Sequence, residues 1–229
     1  MCGRFVRSST DELLASYFGV PLTPYPWAAP SFNITPQSTQ PIVRLNKSQK
    51  RELAPLRWGL IPSWAKDAKL GLKTFNARSE EIDTKPVFRN ALKQRRCLIP
   101  ADAFYEWQKI TTKERQPFAI ALRSREPFAF AGLWDRWQAQ DGSALETFTL
   151  LTTSANSLMA PIHDRMPVIL SPGDYEQWLQ SKEPPLNLLR PFDADQMQAW
   201  TVSDRVGNVR NNDPSLIEPI APPKHSLFD

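Results

Sequence analysis

Residue 2 is a cysteine, in the opening stretch MCGRF. A small second residue permits removal of the initiating methionine, which would leave Cys2 with a thiol and an α-amine on adjacent carbons. Unperturbed α-amines titrate near about 7.7–8.0, so part of such an amine is neutral near neutral pH. A neutral amine attacks an aldehyde to give a Schiff base. The neighbouring thiol can then add to the imine and close a five-membered thiazolidine ring. The pair is therefore a covalent trap for carbonyls. The plain alternative is that position 2 merely requires a small residue.

Four other stretches carry residues able to assist such chemistry. His163, in PIHDRMP, is one of only 2 histidines. It suits proton transfer near neutral pH, with a structural loop histidine as the alternative. Glu106, in FYEW, lies inside an otherwise apolar strand. On an outer face it would be ordinary, whereas an apolar pocket would raise its pKa and make it a general acid/base. Asn76 and Arg78, in FNARSE, point the same way if that segment is extended. An amide can orient a carbonyl or ring oxygen, and an arginine can hold a phosphate. Asn33, in FNITP, reads on its own as a turn residue.

The bulk composition sets limits. A length of 229 residues with 41% hydrophobic and 23% charged side chains fits a globular protein with a sizeable core. Cys2 and Cys97 are too few for a disulfide framework or a four-ligand zinc site, and suggest reduced, intracellular thiols. Neither a membrane span nor an apolar signal-peptide core is visible, so the cytoplasm is expected. The net charge of +4 is compatible with a nucleic-acid partner without establishing one. The run KPVFRNALKQRR carries five basic residues and no acidic one; such runs are usually a solvated helix face. With 8 tryptophans, one or two are expected on a binding surface.

These residues need elements to position them. SSTDELLASYF predicts a helix with a capping box from Ser9 to Glu12. Residues 20–36, rich in proline, predict an ordered irregular loop. Strands are expected over 41–45 and 53–61, and short helices over 79–83 and 87–94. Further strands are expected over 97–100, 103–110, 116–123, 128–137, 145–155 and 166–171, with an Asp141-Gly142 hairpin turn. SANSLMA reads as helix-like. Pro172 should open a helix over DYEQWLQ, followed by a strand over 198–203 and a loose tail from about Asn211. The whole predicts a single α+β domain: a curved, mostly antiparallel sheet or partly closed β-barrel flanked by short helices.

Taken in order, MCGRF, FNITP, FNARSE, FYEW, IHDRMP and VGNVRN resemble the SOS response-associated peptidase (SRAP) family of abasic-site processing proteins, from Cys2 to about Asn211. The resemblance implies a protein that binds single-stranded DNA and 3′-recessed junctions containing abasic sites, and whose Cys2 forms a thiazolidine with the ring-opened sugar aldehyde. It implies that Asn76 positions the opened sugar, that Glu106 is the general acid/base, and that His163 assists proton transfer and reversal. It implies that Arg4, Asn33, Arg78 and Arg165 hold phosphates around the lesion and that Trp64 stacks on a base. It further implies a monomer acting in the cytoplasm (at the nucleoid in a bacterium), with no cofactor or metal, self-removal of residue 1, and weak lyase activity through the Schiff base. One rival is an N-terminal-nucleophile amidohydrolase, but the chain lacks that class's early histidine and Asn-Gly element. A non-covalent single-strand binding module, with Cys2 incidental, is the other.

Overall fold

The computed structural model describes residues 2–22 and 29–220. In chain order its strands are β1 (Phe5–Arg7), β2 (Ser31–Ile34), β3 (Thr39–Leu45), β4 (Arg51–Trp58), β5 (Asn76–Arg78), β6 (Arg96–Ala101) and β7 (Ala103–Lys109). There follow β8 (Arg115–Leu122), β9 (Phe128–Gln138), β10 (Ala144–Ser154), β11 (Arg165–Pro167), β12 (Ile169–Leu170) and β13 (Met197–Thr201). The helices are α1 (Asp11–Phe18), α2 (Pro86–Gln94) and α3 (Tyr175–Gln180), joined by short 3-10 turns. This is the expected mixed α+β single domain.

Strands β10, β4, β3, β6 and β9 lie side by side, and β9 pairs back onto β10, so five strands close on themselves. The β4–β10 seam is parallel and brief, which leaves the barrel only partly closed. A second sheet, in the order β13-β8-β7-β1-β2, packs against it. Alternation along these strands sorts the side chains into three layers. Phe5, Phe104, Phe118 and Ile120 of the second sheet meet Ile42, Leu56, Trp58, Phe130 and Phe148 of the barrel interior. The barrel's outer face packs on the three helices, and the outer face of the second sheet on residues 202–217.

Local chemistry explains where elements depart from the sequence reading. The cap of α1 is Thr10, whose hydroxyl accepts from Leu13 N–H, rather than Ser9. Ser9 is occupied elsewhere: its hydroxyl and N–H both donate to Asp102. The expected strand over 166–171 is split. β11 pairs with β10 and β12 with β9, while Val168 bridges them, donating to Leu151 O at 2.9 Å and accepting from Ala131 N–H at 2.8 Å. SANSLMA forms hydrogen-bonded turns, not a helix. In the proline-rich stretch Ser31–Ile34 is a strand, and residues 23–28 lie outside the described residues. The expected loose tail is ordered as far as residue 220, because Leu216 is fully buried and Ile220 N–H donates to Thr201 O at 3.0 Å. His225 lies outside the described residues.

One backbone contact positions the segment leading to Asn76. Gly59 has φ +131°, and a Cβ there would collide with the Gly71 carbonyl and come within 2.5 Å of Gln37 Nε2. Gln37 donates to Gly71 O at 3.0 Å and locks the two backbones together. Gly59→Ala should lower Tm by roughly 4–8 °C, corresponding to about 2 kcal/mol. An unchanged thermal melt would show that this approach is not constrained.

Candidate active site

Cys2 is 0% exposed and belongs to the central core. Its backbone carbonyl accepts from Asn76 Nδ2 at 2.7 Å. Asn76 stands there because β5 runs parallel to β10, with Asn76 opposite Leu150 and Arg78 opposite Thr152. Ala77 between them is buried, so Asn76 and Arg78 share the other face. The Asn76 Oδ1 atom is buried and accepts no hydrogen bond among the described residues. A buried acceptor left without a donor is costly, so it is suited to a hydrogen supplied by a bound molecule or a rearranged neighbour.

Glu106 is 3% exposed. It alternates with Tyr105 and Trp107 and so shares the Phe104 side of β7, the side that faces the central core. Burial pushes its carboxyl above the ordinary carboxylate range, and the positive charge of the N-terminal amine and then that of His163 pull it back. Burial, reinforced by the negative charge of Glu106, also pushes the Cys2 thiol up. The resting thiol is therefore protonated.

His163 is half-buried. Its Nδ1 lies 2.9 Å from Arg165 N–H and 2.8 Å from Asp164 Oδ1. The first contact requires a bare Nδ1 and the second a protonated one. The fixed backbone N–H selects the Nε2–H tautomer of the neutral ring, and an imidazolium instead donates to Asp164. Two residues beyond Glu106 on the same strand face, Gln108 Nε2 donates to Pro161 O at 3.0 Å and ties down the loop that carries His163. Sequence reading missed Gln108, although its i+2 spacing from Glu106 was the available signal.

The four residues expected to hold phosphates fare differently. Arg78 is exposed, and its side chain makes no hydrogen bond or ion pair among the described residues. Arg4 and Asn33 come together, but for internal work. Arg4 donates to Asn33 Oδ1 at 2.8 Å and to Val206 O at 2.7 Å. Asn33 is 6% exposed, and its Nδ2 reaches Val206, Asn208 and Asn211 carbonyls at 3.2, 3.1 and 2.9 Å. The two side chains thus hold the loop formed by VGNVRN. Arg165 forms a two-pronged ion pair with Glu80 at 2.6 and 2.8 Å and also donates to Thr152 O. Glu80 was quoted in FNARSE without a role, and it is the partner that Arg165 requires. Trp64 is 53% exposed beside an open cleft of about 440 Å³ lined by Lys66, Lys69 and Lys73. Cys97 is fully buried. Among the described residues, no group of three or more His, Cys, Asp or Glu could hold a metal ion. No helix among them is long and apolar enough to cross a membrane.

A buried Cys2 roofed by Asn76, with a buried carboxyl and a tautomer-fixed histidine beside it, is a site organised around residue 2. The family described as SOS response associated peptidase (SRAP) matches residues 1–209. The chain is 44% identical over 223 residues to the Bacillus subtilis abasic site processing protein YoqW, covering 95% of this chain and 99% of that one. It is 34% identical over 231 residues to the Rattus norvegicus abasic site processing protein HMCES, covering 83% of this chain and 65% of that one. A solved structure from Bacteroides thetaiotaomicron superposes with a TM-score of 0.87 at 27% identity, covering 96% of this chain and 100% of that one. One from Bordetella bronchiseptica gives 0.74 at 30% identity, covering 88% of this chain and 100% of that one. The chain belongs to the SOS response-associated peptidase (SRAP) family.

The raised Glu106 pKa has a stability consequence. The folded state releases this proton at higher pH than the unfolded chain, so above the ordinary value of 4.5 the folded state binds more protons. Stability from this group therefore falls as pH rises through that window. Glu106→Gln should be more stable than the parent at pH 7 and gain little at pH 4, measured by thermal melts at both. A variant less stable at pH 7 than the parent would contradict the assignment.

Proposed function

We propose that the chain processes abasic sites in single-stranded DNA, including those at 3′-recessed junctions, by linking Cys2 covalently to the ring-opened sugar. The observation that carries this reading is the burial of residue 2 against Asn76 and Glu106. Relatives whose names describe abasic site processing support the substrate class.

Hydrolysis of the Met1–Cys2 bond, by the chain itself or an aminopeptidase, exposes the α-amine. The amine attacks the sugar aldehyde, and the carbinolamine loses water to give an imine. Glu106 delivers the proton that makes this water leave, a role supported by its raised pKa, which keeps that proton available nearer neutral pH. The Cys2 sulfur then bonds to the imine carbon, and the thiol proton ends on nitrogen. One water is lost overall, and no oxidant or metal takes part. The protonated resting thiol fits this order, in which the amine acts first, and disfavours a thiolate-first amidohydrolase.

Asn76 Oδ1 is free to accept from the amine or a sugar hydroxyl. His163 would relay the proton on reversal. The imine also permits β-elimination, hence weak lyase activity. Arg78 is the phosphate contact with nothing to displace, whereas Arg165 must exchange Glu80 for a phosphate. Arg4 and Asn33 act mainly by presenting the 206–211 loop, and Trp64 offers a stacking face.

Incubation with an abasic single strand should yield a covalent adduct on a denaturing gel, and Cys2→Ala should abolish it. Adduct formed by Cys2→Ala would refute the mechanism. Glu106→Gln should slow formation at least roughly tenfold with non-covalent affinity kept. Arg78→Ala should leave the chemistry intact, weaken binding, and flatten the salt dependence by about 0.7 in log–log slope. An unchanged slope would remove Arg78 from the interface.

A further inference from the structure

The end of the barrel remote from Cys2 carries a second charged surface. Phe5, three residues after Cys2, packs on Trp58 and Phe130, where β4 finishes. Arg44 and Glu52 lie where β3 turns back into β4. Six residues of β4 separate Glu52 from Trp58, a rise of about 20 Å. At this far end Arg44 lies over Trp134, its guanidinium carbon 4.3 Å from the ring centroid, and ion-pairs with Glu52 at 2.9 Å and Glu146 at 3.0 Å.

Two clefts, of about 540 and 220 Å³, adjoin at Trp134, which lines both. Their acidic lining residues are Glu52 and Glu146, both already paired with Arg44. Lys47, Lys93, Arg136 and Lys182 also line them, are exposed, and make no ion pair among the described residues. None of these four is ion-paired, and basic residues outnumber acidic ones in the lining of the two clefts. The basic run KPVFRNALKQRR contributes to it through Lys93 of α2, while Arg95, in the turn that follows, is ion-paired with Asp135 at 2.9 Å. None of the exposed large apolar side chains among the described residues lines either cleft. A protein partner would ordinarily need an apolar centre to its interface, whereas a polyanion needs only the charges.

We propose that this rim is a second nucleic-acid contact, gripping the phosphate backbone of the same single strand on one side of the lesion. The inference rests on the abasic-DNA reading of the Cys2 site. The geometry sets a length requirement. A single strand stretches to about 6–7 Å per phosphate, roughly twice the duplex rise, so spanning some 20 Å takes about three nucleotides. A 3-mer with a central lesion reaches one nucleotide, about 7 Å, to either side and falls short of the rim. A 25-mer reaches it.

The test compares crosslinking rates of the full chain, at limiting protein, on abasic 3-mer and 25-mer strands. The parent should react about tenfold faster with the 25-mer. The quadruple variant Lys47→Gln, Lys93→Gln, Arg136→Gln, Lys182→Gln should react with the 3-mer as the parent does. It should lose the 25-mer advantage, and its salt slope on the 25-mer should drop by about 2–3. A milder pair, Lys93→Gln with Lys182→Gln, should lose part of the advantage, which guards against misfolding of the quadruple form. A variant that keeps the full 25-mer advantage overturns the inference. So does binding of a poly-glutamate peptide that the variant loses while keeping the length effect. If the parent crosslinks neither strand, it is the abasic-DNA reading that fails.

Discussion

The burial of residue 2 is the constraint on which the rest depends. Residues beside a chain end are normally solvated, because unpaired backbone groups there are expensive to bury. Here Cys2 is enclosed with Phe5, Phe104, Met159 and Ile162 in the central core. The Asn76 amide satisfies its carbonyl. Enclosure keeps the thiol protonated and Glu106 hard to ionise, and these two effects together define the chemistry available. An exposed Cys2 would have an ordinary thiol and no acid at hand.

The fold serves that constraint from several directions. β1 carries the terminus between β2 and β7, so Cys2 and Glu106 arrive from adjacent strands. β5 is a three-residue strand whose parallel pairing with β10 delivers Asn76. The His163 loop is pinned by Gln108 on one side and by β11 on the other. The glycine contact between residues 59 and 71 fixes the approach to β5. Each support is a backbone or amide interaction, which suits a site whose groups must keep a fixed spacing.

Much of the fold was legible because alternation and turn chemistry are local. The strands from 97 onward and the Asp141-Gly142 hairpin followed from residue pattern alone. What was not legible depends on partners distant in sequence. Ser9 could not be seen to bind Asp102, nor Val168 to bridge two strands. The same holds at the site. Cys2, Asn76, Glu106 and His163 were nameable from their motifs. The engagement of Arg165 by Glu80, and of Arg4 and Asn33 by the 206–211 loop, was hidden because sequence shows a charge but not what already neutralises it. The loose-tail reading failed for the same reason: Leu216 looks unremarkable until its buried position is known.

The intact mass of the full chain before and after exposure to an abasic single strand tests the central claim most directly. The account predicts a starting mass lacking residue 1, and an adduct equal to protein plus strand less one water, lost when Cys2 is replaced. An adduct on a chain that retains residue 1, or one that keeps that water, would contradict it.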